Sequence, residues 1–276
     1  MNKAVKILLS QEMNSQKLCN YSSFLCPDQH VAEIEFDPNR GKFCLTQQII
    51  TTTNFTGFRR AEFNNNFTPT NDSVMILVLE SPHKDEYDHT HKALGPAYGE
   101  TGDNINTYLA DILNVAILNS VLNNQCSLTK YDLILVNAVQ HQCSFGANPL
   151  LFRDAMFLYY WEKEYYRKDF SKRLTKVISK YNSCIVVNCC TQGEHTDLLT
   201  NHFGKLGKGR LKNKSYFDEL GVDYSQWGLH EYTLRECVKQ IMLSVKSNNV
   251  SYSDYYYISH PSSWGRSYRN RILKKI

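Results

Sequence analysis

The run VMILVLE (residues 74–80) decides how this chain is read. It is apolar without alternation, which suits a strand buried on both faces, as in a parallel sheet. Three similar runs follow: DLILVNAV (132–139), CIVVNCC (184–190) and YYYISH (255–260). Between them lie DNINTYLADILNVAILNSVL (103–122), FSKRLTKVISKY (170–181) and LHEYTLRECVKQIMLSVKS (229–247), whose apolar residues recur near the helical period. Strand and helix alternate. The pattern predicts a three-layer α/β/α sandwich with a four-stranded parallel central sheet over residues 74–276. Residues 1–73 read as an N-terminal, β-containing extension. Within it EIEFDPNRGKFCL (33–45) predicts a hairpin turning at Asp37-Pro38-Asn39-Arg40-Gly41, and the Asn- and Thr-rich stretch 51–73 predicts an irregular connection.

Composition narrows the class. Apolar residues make up 42% of the 276, with 18 Tyr and 13 Phe, enough for a sizeable core. No apolar run approaches the roughly 18 residues that span a bilayer. The start, MNKAVKILLSQEM, has no small-residue cleavage site after its apolar run, so it reads as an element start and not a signal peptide. The nine cysteines are odd in number and contain no Cys-x-x-Cys. That spacing predicts reduced thiols in a cytoplasmic protein and argues against zinc-ribbon and iron–sulfur sites. No cofactor, no membrane and a monomer are the expectations. Net charge is only +4, yet KLGKGRLKNK (205–214) and WGRSYRNRILKKI (264–276) each hold five basic residues and no acidic one. Two such patches suit a polyanionic partner; the plain alternative is a solvated loop and tail.

In open α/β sheets, ligands bind beyond the carboxyl ends of the strands. All four runs end in polar or reactive residues: Glu80-Ser81-Pro82-His83, Asn137, Asn188-Cys189-Cys190 and His260-Pro261-Ser262. Side chains at four strand ends can converge on one crevice.

Four motifs in order then resemble the uracil-DNA glycosylase superfamily: LESPHKDEY (79–87), GPAYGETGDNINTYL (95–109), ILVNAV (134–139) and SHPSSW (259–264). The resemblance spans residues 74–276 and is closest to the thermophilic bacterial branch. It implies a monofunctional DNA glycosylase, which flips a nucleotide and hydrolyses its N-glycosidic bond with water as the only co-substrate. His260 corresponds to the histidine that stabilises the departing base anion. Ser81, Pro82, His83, Tyr98 and Asn137 would form the base pocket. Tyr98 stacks on the base there, and the Asn137 amide reads its edge. Ser262 and Ser263 would grip the target-strand phosphate. Trp264 falls where the family has a wedge that enters the duplex. Arg266, Arg269, Arg271, Lys208 and Arg210 would meet phosphates.

The chain departs from the family in three places. Ser81 stands where the best-known uracil enzymes carry a water-orienting Asp, so Glu80, Asp85 or Glu86 would handle the water. His83 stands where those enzymes carry a Tyr that blocks a 5-methyl group. The cysteine set that holds the iron–sulfur cluster of the thermophilic branch is missing. The implied substrate is uracil, the family default, or a modified pyrimidine such as a modified cytosine in phage DNA.

Blander and rival readings stand beside this one. Asn137 could cap a turn, His260 could be a packed histidine, Tyr98 could be core and Trp264 could cover the core edge. His141, Cys143, Cys189, Cys190 and His195 could form a zinc site for a hydrolase or deaminase. Cys143 or Cys190 could pair with a histidine as a hydrolytic nucleophile. A glycosylase-like fold could also bind DNA without cutting it.

Overall fold

A computed structural model describes residues 25–52, 61–122, 130–144, 153, 157, 160, 161, 163–192, 234–248 and 252–276. The apolar runs form strands, joined by helices. The strands are β1 (Gln29–Asp37), β2 (Lys42–Leu45), β3 (Ala61–Glu62), β4 (Ser73–Leu79), β5 (Lys130–Asn137), β6 (Ser183–Asn188), β7 (Tyr252–Tyr257) and β8 (Lys274–Lys275). The long helices are α1 (Glu100–Leu118), α2 (Glu164–Ile178) and α3 (Leu234–Asn248).

The architecture is mixed α/β, built on one eight-stranded sheet of order β2-β1-β5-β4-β6-β7-β8, with β3 paired to β1. The pairs β5–β4, β4–β6 and β6–β7 are parallel. The expected sheet of four strands is therefore too small, because antiparallel strands extend both edges. β1 runs against β5 from Gln29↔Leu135 to Glu35↔Lys130, and β8 pairs with β7. The boundary expected at residue 73 does not divide the sheet. The outer edge of β5 would otherwise expose a ladder of unpaired N–H and C=O groups, and β1 covers it. The 33–45 hairpin is present, with Asp37 facing Lys42 and the Asp37 carboxylate accepting from the Asn39 and Arg40 N–H groups. Gly41, at φ 59°, supplies the left-handed residue that the return requires. Within the stretch expected to be irregular, Ala61–Glu62 pairs with β1.

Strand alternation sorts the core into two faces. Val74, Ile76 and Val78 share one cluster with Phe170 and Leu174 of α2 and with Val238 and Met242 of α3. Met75, Leu77 and Leu79 share the other with Ile105, Leu109, Ile112 and Leu113 of α1. The α1 spacing puts one apolar stripe on the sheet, and each fully buried Leu or Ile contributes about 1.5–3 kcal/mol.

The amino end of the sheet is closed by a buried carboxylate. Asp132 accepts from the Thr70 N–H (2.9 Å), the Asn71 side-chain amide (2.6 Å) and the Tyr181 hydroxyl (2.8 Å). These bonds tie together the segments that enter β4, β5 and β6. Among the described residues, no helix is long and apolar enough to cross a membrane.

Candidate functional site

A cleft of about 540 Å3 opens at the carboxyl ends of β4, β6 and β7. Its lining includes Glu80, Ser81, His83, Asp85, Tyr98, His260, Ser262, Ser263 and Arg266. The structure thus brings together, on one crevice, residues 180 positions apart in sequence. Glu86, Ser144, Arg153, Thr191, Gln192 and Arg235 also line it.

His260 ends the β7 segment at a one-turn 3-10 helix, Pro261–Ser263, with proline in the first position where no N–H is needed. Its Nδ1 accepts from the Ser262 backbone N–H (3.2 Å) and lies 2.9 Å from the Ser262 hydroxyl. A backbone N–H can only donate, so Nδ1 is the acceptor and the neutral ring carries its proton on Nε2. Nε2 faces Glu80 Oε2 at 3.8 Å. Burial pushes the imidazole below the ordinary histidine range. The Glu80 carboxylate opposes that shift, while Arg153, His83 and Arg235 add to it.

Glu80 leaves β4 as a buried side chain, 3% exposed. Its Oε2 accepts from the Thr191 N–H at 3.0 Å, and Arg153 stands 3.9 Å from Oε1. The carboxylate is therefore held by Thr191 and Arg153, with His260 facing it on a further side. Asp85 is placed differently. It is half exposed and pairs with His83 Nδ1 at 3.1 Å. Burial lowers the pKa of His83, and Asp85 raises it in part. Glu86 serves the scaffold: buried, it accepts from the Ala97 N–H at 2.9 Å. That bond steadies the loop 95–99, where Gly95, Ala97 and Gly99 all have positive φ. The loop delivers Tyr98 to the cleft, and Gly102 lets it pass, since a Cβ there would lie 2.1 Å from the Ala97 carbonyl oxygen.

Several sequence-derived candidates lie elsewhere. Trp264, expected as a wedge on DNA, is fully buried in the α1-side core, and its indole N–H donates to the Ser259 carbonyl at 2.8 Å. It braces the His260 loop from behind, so the core-edge reading is the correct one. Asn137 does not line the cleft. It is fully buried beside Leu79, its register partner, and neither amide atom has a hydrogen-bond partner among the described residues. Pro82 is also outside the lining; its carbonyl receives the N–H groups of Cys143 and Ser144. Arg269 is exposed beyond the cleft, and Arg271 stacks on the Tyr108 ring at 4.3 Å. Lys208 and Arg210 lie outside the described residues.

The zinc and thiol alternatives lose their geometry. Cys189 belongs to the α1-side core and Cys190 to the opposite one, so the two thiols point to different faces of the sheet. Burial pushes both thiols up, away from the thiolate that metal binding or attack requires. The Cys143 thiol donates to the His141 carbonyl, and the His141 ring stacks on Tyr160. His195 is outside the described residues. Among the described residues His30, Glu33 and Asp132 lie close enough to share an ion. There, however, Asp132 is already committed to Thr70, Asn71 and Tyr181.

Arg153, Thr191, Gln192 and Arg235 carried no sequence signal for this site. The only available hint was position: Thr191 and Gln192 directly follow the third apolar run, and Arg235 opens a helix.

No family model matches the chain, and no curated protein or solved structure matches it.

Proposed function

We propose that this chain is a monofunctional DNA glycosylase with a three-layer α/β/α core, acting on a flipped uracil or modified pyrimidine. The observation that carries the reading is the neutral His260, whose Nε2 points into a strand-end cleft beside the buried Glu80. Breaking an N-glycosidic bond leaves positive charge on the sugar and an electron pair on the base. His260 Nε2–H is aimed to donate to an oxygen of the departing base anion, a role that a neutral imidazole fills. The Glu80 carboxylate stabilises the cationic sugar and takes a proton from the attacking water. Glu80 suits this better than Asp85, because it is buried and faces His260, whereas Asp85 is half exposed and turned to His83. Tyr98 supplies the stacking surface, and the Ser81 hydroxyl, buried and without a partner among the described residues, meets the base edge.

The position of Asn137 outside the lining favours a second reading, a DNA-binding protein with the same fold and no excision activity. One experiment separates them. Labelled single- and double-stranded oligonucleotides carrying uracil, thymine mismatches, and methylated, hydroxymethylated or glucosylated cytosines are incubated with the protein, then treated with alkali. Strand scission at one of these bases is expected. Salt-sensitive binding with no scission at any base would replace the glycosylase by the binder.

A further inference from the structure

We infer that Arg235, together with the Thr191 hydroxyl, forms an anion subsite for a backbone phosphate, in the cleft that His260 and Arg266 also line. The inference rests on the nucleic-acid reading above. Arg235 is the second residue of α3, and its Nε donates to the Cys190 carbonyl at 2.9 Å. The guanidinium stacks over the Tyr257 ring at 5.7 Å. These two contacts fix the guanidinium in the lining of the cleft, and among the described residues its terminal amino groups show no hydrogen bond. The Thr191 hydroxyl, buried and without a partner among the described residues, shares the same corner, since the Arg235 N–H donates to the Thr191 carbonyl.

The corner is rich in donors, and a guanidinium offers no acceptor, so its ligand presents several acceptor oxygens. Of the carboxylates in the lining, Glu80 is faced by Arg153, Asp85 by His83 and Glu86 by the Ala97 N–H, while Glu100 starts α1, on the other face of the sheet from α3. The fold then places a second cation, Arg266, in the same lining. α3 packs on the sheet face of Val74 and Ile76, whereas Gly265, next to Arg266, lies against Asn104 and Tyr108 of α1 on the other face. Arg235 and Arg266 thus reach the cleft that His260 lines from segments packed on opposite faces of the sheet. A nucleotide delivered to that histidine carries a phosphodiester on each side, and the arrangement holds both.

The test uses a fluorescent single-stranded oligodeoxynucleotide, titrated with full-length protein at several salt concentrations. Arg235→Gln is expected to weaken binding on the order of tenfold and to flatten the plot of log K against log salt by about 0.7, one phosphate contact. Arg235→Lys keeps the charge without the fork and falls between. Lys130→Gln, at the far end of β5, removes the same charge and leaves binding unchanged. Thermal melting confirms that each variant is folded. Separately, inorganic phosphate is titrated while the Arg235 Nε–H resonance is followed; a saturable shift is expected. Wild-type oligonucleotide binding by Arg235→Gln, or no shift with phosphate, overturns the subsite. A phosphate shift without oligonucleotide binding by the wild type keeps the subsite and removes the nucleic-acid reading.

Discussion

The two ends of the central sheet treat buried polar groups in opposite ways. At the amino end, Asp132 is fully buried, and three donors from two chain segments meet it. At the carboxyl end, the Ser81 and Thr191 hydroxyls and both amide atoms of Asn137 are buried with no partner among the described residues. A buried polar group without a partner costs about 1–3 kcal/mol. One end is fully bonded, and the other leaves buried donors and acceptors unpaired among the described residues. The contrast also runs within the carboxyl end. Asn137 and Asn188 both end buried strands. Asn188 donates to the Arg235 carbonyl and accepts from the Cys190 N–H, whereas Asn137 does neither of the like.

The largest expected effects come from the finished parts. Asp132→Ala strands the Tyr181 hydroxyl and the Asn71 amide, and should lower stability by about 3–5 kcal/mol in urea denaturation. Trp264→Ala should cost a similar amount, about 3–5 kcal/mol, as a core truncation. A variant of Trp264 that melts like wild type and loses only DNA binding would restore the wedge.

His260→Ala should leave stability nearly unchanged while slowing abasic-site formation about 10²–10³-fold. The sign of the pH response follows from its burial. Only the neutral ring accepts the Ser262 N–H and presents Nε2–H, and burial holds its pKa below the usual value of about 6.5. Excision should therefore persist through pH 6.5 and fall only in more acidic buffer. Stability moves with it: the unfolded imidazole binds protons first, so folding free energy declines as pH drops through about 6.5. His83 and His141 add to this decline, because burial lowers their pKa values too.

The smallest effects sharpen the comparison most. Asn137→Leu replaces two orphaned polar atoms and should stabilise the fold by about 1–2 kcal/mol. Asn188→Leu breaks two bonds and should destabilise it by about 1–3 kcal/mol. Opposite signs in paired urea titrations support the contrast; equal losses would mean that Asn137 is a structural residue like its counterpart.

Much of this fold was legible in the chain, because continuous apolar runs and helical periodicity are local properties. VMILVLE, DLILVNAV, CIVVNCC and YYYISH became β4, β5, β6 and β7, and the segments between them became α1, α2 and α3. The hairpin at Asp37–Gly41 was legible for the same reason. The role of β1 was not, because pairing with β5 joins residues about 100 positions apart and leaves no local signature. At the site, strand ends announced Glu80, Ser81, His83 and His260, since polar residues after a buried run must go somewhere. Trp264 shows the limit. Its place in the chain suited a wedge, but burial of a large indole and its bond to the Ser259 carbonyl were decided by packing against α1.

The sequence by itself determined which segments are strands and helices, and that their carboxyl ends carry reactive groups. Only the tertiary structure decided which of those groups face one another. Direction and burial depend on register and on partners remote in the chain. Glu80 meets Thr191 and His260 because β4, β6 and β7 are neighbours in the sheet. Asn137 is turned into the interior by the same pleat that buries Leu133 and Leu135.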